Sequence, residues 1–257
     1  MKKIEGLLRF VTGSGSRGIY QAIINQIRPH DTLIVPFLGT CPVTRSLRLP
    51  ELVIANDANP QIVQCWRHAM PQIEYHSEAV VTFLSRLQWK DFGRTVLLIA
   101  PPKVLETRVS GNHFRIMDQE DHLELIEALL SHVPREGVDV IISTSPSKLY
   151  ETRLRAPAWR RETLTNPSKG GRTPHHLYMN YPVPIQLHDD SFLGVNATDR
   201  TRFKRLLERE GEKLRRLNPL ELQKYLNFVN EVGQERLQQL HDRTADRVEM
   251  EFAHSRL

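Results

Sequence analysis

A chain of 257 residues with 40% hydrophobic and 25% charged side chains can form one large domain, or a domain with an appendage. No apolar run reaches bilayer-spanning length, and the start, Met-Lys-Lys-Ile-Glu-Gly, lacks the apolar core and small-residue cleavage site of a signal peptide. The net charge is +5, and it is uneven: residues 148–216 hold 15 Lys/Arg against 8 Asp/Glu, while the rest holds 20 against 22. A basic segment on a near-neutral body is the charge pattern of a phosphate-binding face.

The first half alternates short apolar runs with helical spacing, the pattern of a parallel sheet with crossover helices. Strands are expected at 32–35, 52–56, 73–76, 96–100 and 138–143, and helices at 16–26, 59–70, 78–87 and 118–132. The last of these starts Asp-Gln-Glu-Asp, which places acids in the first turn where the helix dipole favours them. Residues 155–174 are rich in Arg, Pro, Gly and Thr without apolar period and read as a loop. Residues 175–195, with Tyr178, Tyr181 and Phe192 among prolines, read as the last strands and turns.

A basic helix is expected at 199–217, then a second, capped by Asn218-Pro219, running to about residue 240. Leu222, Leu226, Val229, Leu237 and Leu240 share one face of it, although Gly233 falls on that face, and the last fifteen or so residues are expected to fray. The expected division is an α/β domain over 1–198 and a basic helical extension over 199–257, whose helices offer a surface to a protein partner. Cys41 and Cys65 fit a reducing cytoplasm as small buried or half-buried side chains. His175-His176 and His188-Asp189-Asp190 lack two further well-spaced ligands and read as surface or hydrogen-bonding groups, so no metal is expected.

Four short motifs follow in order. Thr12-Gly13-Ser14 is a small-residue loop that opens a helix. Pro36-Phe37-Leu38-Gly39 is a turn that follows a strand, and Asn56-Asp57-Ala58-Asn59 ends the next strand in an acid suited to ribose hydroxyls. Ala100-Pro101-Pro102-Lys103 closes a buried strand.

In this order and spacing the motifs resemble the Dam-like adenine-N6 DNA methyltransferases, whose pattern is Thr-Gly-Ser-Lys, Pro-Phe-x-Gly-Ser-Gly, Asn-Asp-x-Asn and Asp-Pro-Pro-Tyr. The similarity extends from about residue 8 to 230 through Asp121-His122-Leu123, Ser143-Thr144-Ser145, Leu177–Pro182, Asp190–Gly194 and Arg200–Arg205, as in small phage- and element-borne members. The resemblance implies a Rossmann-like S-adenosylmethionine-dependent methyltransferase fold. It also implies a cofactor site at Thr12, Gly13, Ser14, Pro36, Phe37, Gly39 and Asp57, and the degenerate catalytic motif Ala100, Pro101, Pro102 and Lys103.

The departures bear on function. Thr40-Cys41 replaces Ser-Gly, Arg17 is the nearest cation to the missing loop lysine, and only about forty residues separate Asp57 from Ala100, so no inserted sequence-reading domain fits. In the family the tetrapeptide's acid accepts from the base amine and its aromatic stacks on the flipped base. Ala100 has no side-chain acceptor and Lys103 no ring. Nucleic-acid contact is expected from Arg153, Arg155, Trp159, Arg160, Arg161, Lys169 and Arg172, and from the tail residues Arg202, Lys204 and Arg205, because arginines beside an aromatic suit phosphates and unstacked bases. The leading expectation is a nucleic-acid-binding pseudoenzyme, with DNA as partner (RNA is the other candidate), that holds S-adenosylmethionine and transfers little or no methyl to adenine. The alternatives are an active adenine-N6 methyltransferase with an atypical pocket, and a structural module that keeps only the fold.

Overall fold

The computed structural model describes residues 18–103, 117–134, 136–168 and 171–254, with the side chains of 166–168, 171–173 and 240–254 left out of the description. Thr12, Gly13, Ser14, Arg17 and Lys169 therefore lie outside the described residues or side chains.

Seven strands form one sheet in the order β3-β2-β1-β4-β5-β7-β6. They are β1 Thr32–Val35, β2 Leu52–Asn56, β3 Glu74–His76, β4 Thr95–Ile99, β5 Val138–Thr144, β6 Arg160–Ser168 and β7 Gly171–Met179. The first five pair in parallel, and β7 runs antiparallel to both neighbours. A parallel sheet that reverses at β1/β4, with one antiparallel strand near its edge, is the Rossmann-like methyltransferase arrangement. The crevice at such a reversal lies outside the strands' carboxyl ends.

The helices are α1 Ile19–Ile24, α2 Pro42–Ser46, α3 Pro60–Ala69, α4 Val80–Arg86, α5 Gln119–His132, α6 Lys148–Arg153, α7 Ala197–Leu214 and α8 Pro219–His254. Local chemistry sets their starts. Asn59 accepts from the Gln61 N–H ahead of Pro60 at the first turn. Asp118 accepts from the Glu120 and Asp121 N–H groups, and the Asp121 carboxylate accepts from the Asp118 N–H, a reciprocal capping box.

Strand alternation decides which side chains meet. Ile34, Ile54, Leu97, Ile99, Val140, Ile142 and Tyr178 pack with Phe83 and Leu84 of α4, Leu125, Ile126 and Leu129 of α5, and Tyr150 of α6. The alternate residues Leu33, Val35, Val53, Ala55, Val96, Leu98 and Ile141 are equally buried on the other face. The middles of the central strands are therefore apolar on both faces, as expected for a sheet covered on both sides, and polar residues such as Thr32, Thr95, Asp139 and Ser143 stand towards their ends. Each such side chain contributes about 1.5–3 kcal/mol by leaving water.

The expected loop at 155–174 is corrected: from Arg160 onward it is the edge strand β6, joined to β7 in a long antiparallel ribbon. Its exposure alternates, with Arg160, Glu162 and Leu164 half-buried and Arg161, Thr163 and Thr165 exposed. The period of two exists, but polar residues carry it. β5 pairs β7 only from His176 to Met179, whereas β6 accompanies β7 along its whole length. The ribbon's distal half thus extends past β5. Prolines 167 and 174 are tolerated there because an edge ribbon has unpaired positions.

The chain separates into two compact units: residues up to Pro182 with Leu187–Asp189, and Val183–Gln186 with the residues from Asp190 onward. In the first, a bidentate Arg28–Asp139 pair and Tyr181, whose hydroxyl donates to the Gln26 carbonyl at 2.7 Å, tie distant segments together. In the second, Asn196 caps α7 by accepting from the Asp199 N–H at 2.9 Å. Gly194 has φ +128°, and a Cβ there would lie 2.8 Å from the Arg200 nitrogen. The Asn218-Pro219 cap is observed, with Asn218 accepting from the Leu220 and Glu221 N–H groups. α8 does not stop near residue 240. It continues to His254, because residues 234–254 are mostly good helix formers and contain neither Gly nor Pro. Among the described residues no helix is long and apolar enough to cross a membrane.

Candidate functional site

The carboxyl ends of β1, β2 and β3 are bound into one edge. The turn after β1 lies against the tip of β2, with the Leu38 N–H donating to the Asn56 carbonyl at 2.9 Å. Gly39 has φ +44°, a conformation that glycine adopts without steric cost. Its N–H donates to Asp57 Oδ2 at 2.8 Å, and its carbonyl accepts from Trp66 Nε1 at 2.7 Å. Asp57 Oδ1 accepts from the Asn59 N–H at 2.9 Å. Asp57 is half-buried, so the β2 acid sits against the β1 turn with its carboxylate at the sheet edge. Pro36 is buried, and Phe37 packs against the main core cluster.

Asn56 joins the three strand tips. Its Nδ2 donates to the Pro36 and Glu78 carbonyls at 3.2 and 3.1 Å, and its Oδ1 accepts from the Glu78 N–H at 2.9 Å. Glu78 brings a second carboxylate to this edge, which the sequence motifs did not single out. Its Oε1 pairs with Arg86 at 2.7 Å, and its buried Oε2 has no partner among the described residues. An orphaned buried acceptor is a place where a ligand donor is expected.

At the degenerate tetrapeptide, Pro101 is buried, Ala100 and Pro102 are half-buried and Lys103 is exposed. Ile99 pairs with Ile142 in the β4/β5 register, so Ser143 follows alongside Ala100. Ile99 and Ile142 face the α4–α5–α6 core, which puts Ser143 on the opposite face. There Ser143 Oγ lies 2.7 Å from His175 Nε2 of β7. Both residues are buried, at 3% and 8% exposure. Burial first, then the Lys103 ammonium and His176, push the His175 imidazole down to about 4, so it is neutral near pH 7. His176 is on the other face of β7, 3.3 Å from the Tyr178 hydroxyl, and Tyr150 bonds His122 at 2.8 Å in the core beyond it. The two histidines are thus hydrogen-bonding groups, but buried ones rather than surface ones. No run of sequence marks the Ser143–His175 pair, because its members are 32 residues apart.

The expected nucleic-acid residues differ in their surroundings. Arg153 and Arg155 are exposed. Arg161 pairs with Glu151 at 3.3 Å. Arg160 turns inward: it donates to the Tyr181 carbonyl and to Gln26 Oε1, both at 2.7 Å, and lies over the Tyr181 ring. Trp159 packs against the core cluster. Arg160 and Trp159 therefore have internal partners. Arg172 lies on β7 near the ribbon's end. In the second unit Arg202 pairs with Asp199 and covers Phe203, Lys204 lies 3.9 Å from Glu208, and Arg205 is exposed.

No protein-family model matches the chain. No curated protein matches it either. Among solved structures it is similar to an rRNA methylase from Streptococcus thermophilus (12% identity, TM-score 0.44), covering 62% of this chain and 92% of that one. It is similar to the 23S rRNA methyltransferase ErmE (12% identity, TM-score 0.43), covering 75% of each. It is also similar to a methyltransferase from Geobacter sulfurreducens (8% identity, TM-score 0.44), covering 70% of this chain and 86% of that one.

Proposed function

We propose that the chain is a methyltransferase-fold, nucleic-acid-binding protein that holds S-adenosylmethionine at the tips of β1–β3 and transfers little or no methyl to adenine in DNA. The observation that carries the cofactor reading is the pair of carboxylates at one sheet edge: Asp57 against the Gly39 turn, and Glu78 with a buried acceptor atom. An adenosine moiety presents ribose hydroxyls and an exocyclic amine, all donors, and two carboxylates are acceptors. Bound there, the cofactor would supply an electrophilic methyl group. The chain's own residues position it and exclude water.

Two features support the pseudoenzyme part. The Ala100 side chain cannot accept from a base amine, and a Lys103 ammonium opposes the positive charge that develops on a methylated amine. Nucleic-acid contact is assigned to Arg153, Arg155 and Arg161 in the first unit and, separately, to Arg202, Lys204 and Arg205 in the second, with Lys169 and Arg172 carried from the sequence pattern. DNA is the partner tested first. A working transferase with an atypical pocket is the second reading, favoured by the polar Ser143–His175 pair alongside Ala100.

Calorimetry with S-adenosylhomocysteine tests the cofactor reading. Asp57→Asn and Glu78→Gln should each weaken binding by about 1.5–3 kcal/mol, the worth of a hydrogen bond to a charged group. No heat and no thermal stabilisation of the unmodified protein at millimolar ligand would refute it. Robust N6-methyladenine, found by nucleoside mass spectrometry after incubation with S-adenosylmethionine and mixed-sequence DNA, would refute the pseudoenzyme part alone.

A further inference from the structure

Along α8, Leu222, Tyr225, Val229 and Val232 recur at intervals of three, four and three residues, which sets them on one line of the helix, with Leu226 and Phe228 on either side of it. Tyr225, Leu226, Phe228, Val229 and Val232 are between 40 and 62% exposed. Lys224 and Glu231 lie off this line. We infer that α8 pairs antiparallel with α8 of a second copy of this chain through these six apolar side chains. The inference is independent of the cofactor and nucleic-acid readings above.

Size, register and charge all fit a second copy. The exposed parts of those five side chains come to roughly 500 Å² in one chain, given the areas of large apolar residues. Two copies bring together about 1,000 Å² of apolar surface, the size at which a specific interface holds. A two-fold axis level with Asn227 makes the stripe complementary to itself. Leu222 then faces Val232 of the second copy, Tyr225 faces its Val229, and Leu226 faces its Phe228. The first two contacts set a larger side chain against a smaller one, and the axis repeats all three. Charge fixes the direction. Arg236 is next on the same line, four residues past Val232. In a parallel pair two Arg236 guanidiniums would meet in the seam, a like-charge contact where apolar residues belong. In the antiparallel pair Arg236 passes beyond the apolar layers and comes within a turn of Glu221 of the second copy. Glu221 Oε2 accepts from the Asn218 N–H at 3.0 Å, and its Oε1 can take the guanidinium.

The test is light scattering of the full chain, whose mass should rise from that of one chain to that of two between about 1 and 100 μM. Val229→Lys puts an ammonium into the seam twice and should weaken the dimer at least about hundredfold, whereas Glu231→Lys, off the stripe, should leave it as strong. Both side chains are exposed, so neither change disturbs the fold of the single chain. Spin labels give the direction. Gln239 is exposed and Cys41 is buried, so Gln239→Cys with the half-buried Cys65 replaced by serine offers one labelling site per chain. Two labels should lie about 36 Å apart in the antiparallel pair, roughly 24 residues along the axis, against about 10–15 Å in a parallel one. A single chain at every concentration would leave this face to a different protein and overturn the inference. So would a dimer that Val229→Lys leaves as strong, or labels at the shorter distance.

Discussion

Acidification should destabilise the first unit well above the pH at which carboxylates titrate. Two buried imidazoles are the main cause. His30, 5% exposed, and His175, 8% exposed, are each pushed down to about 4, in both cases mainly by burial. His30 bonds the Arg28 carbonyl through Nδ1 at 2.8 Å, stacks 4.0 Å from the His188 ring, and has no partner at Nε2 among the described residues. A proton on either ring would be a buried charge without a carboxylate in contact. The unfolded chain takes up these protons near pH 6.5, before the folded one does. The contribution is therefore complete above about pH 6.5 and is lost as the pH falls towards about 4. At pH 5 the loss is roughly 2 kcal/mol per histidine. His30 precedes β1 and His175 lies at the carboxyl edge, so the two should add to about 4 kcal/mol. That is a large part of a typical stability of about 5–15 kcal/mol. The tryptophans, Trp66, Trp89 and Trp159, all lie in the first unit, so urea unfolding followed by their fluorescence reports that unit alone. The midpoint should fall from pH 7.5 to pH 5, and His30→Gln or His175→Gln should each remove a clear part of the slope, with His122, His176 and His188, whose imidazoles burial also pushes down, carrying the remainder. A midpoint that is flat over this range, or NMR titration of either ring near 6.5, would refute the reasoning.

Asn56→Ala strands the Pro36 carbonyl and both backbone groups of Glu78, and should cost about 3 kcal/mol or more in urea unfolding. A loss under about 1 kcal/mol would show that the three strand tips are not joined through this side chain. Gly194→Ala forces a side chain into a positive-φ position against Arg200, so it should cost about 1–3 kcal/mol and fray the start of α7, seen as lost amide protection there. Unchanged protection would contradict the close approach. Replacing the exposed Arg153 and Arg155 by alanine should lower the slope of log affinity for DNA against log salt by about two, whereas Arg160→Ala should mainly lower stability, because its guanidinium is spent on Tyr181 and Gln26. A salt slope untouched by the pair would remove both from the nucleic-acid face.

The five parallel strands were legible within a residue or so; β1, β2, β4 and β5 show it because a strand buried on both faces carries a short apolar run, whereas the edge strand β3, Glu74–His76, is polar and at most half-buried. The cap at Asn218 and the acidic helix start at Asp118 were legible too, since capping is settled by residues two or three apart. The order of the four motifs located the sheet edge that carries Asp57 and Ala100. β6 was not legible: its alternation is carried by Arg, Glu and Thr, and it becomes a strand only because β7 returns beside it to bond its backbone. The continuation of α8 past residue 240 was missed for a related reason, as an amphipathic period fades there while helix propensity does not. Glu78, the inward turn of Arg160, and the Ser143–His175 pair beside Ala100 depended wholly on the tertiary structure. Their partners lie 22, 21 and 32 residues away, and local sequence carries no record of which strands stand side by side.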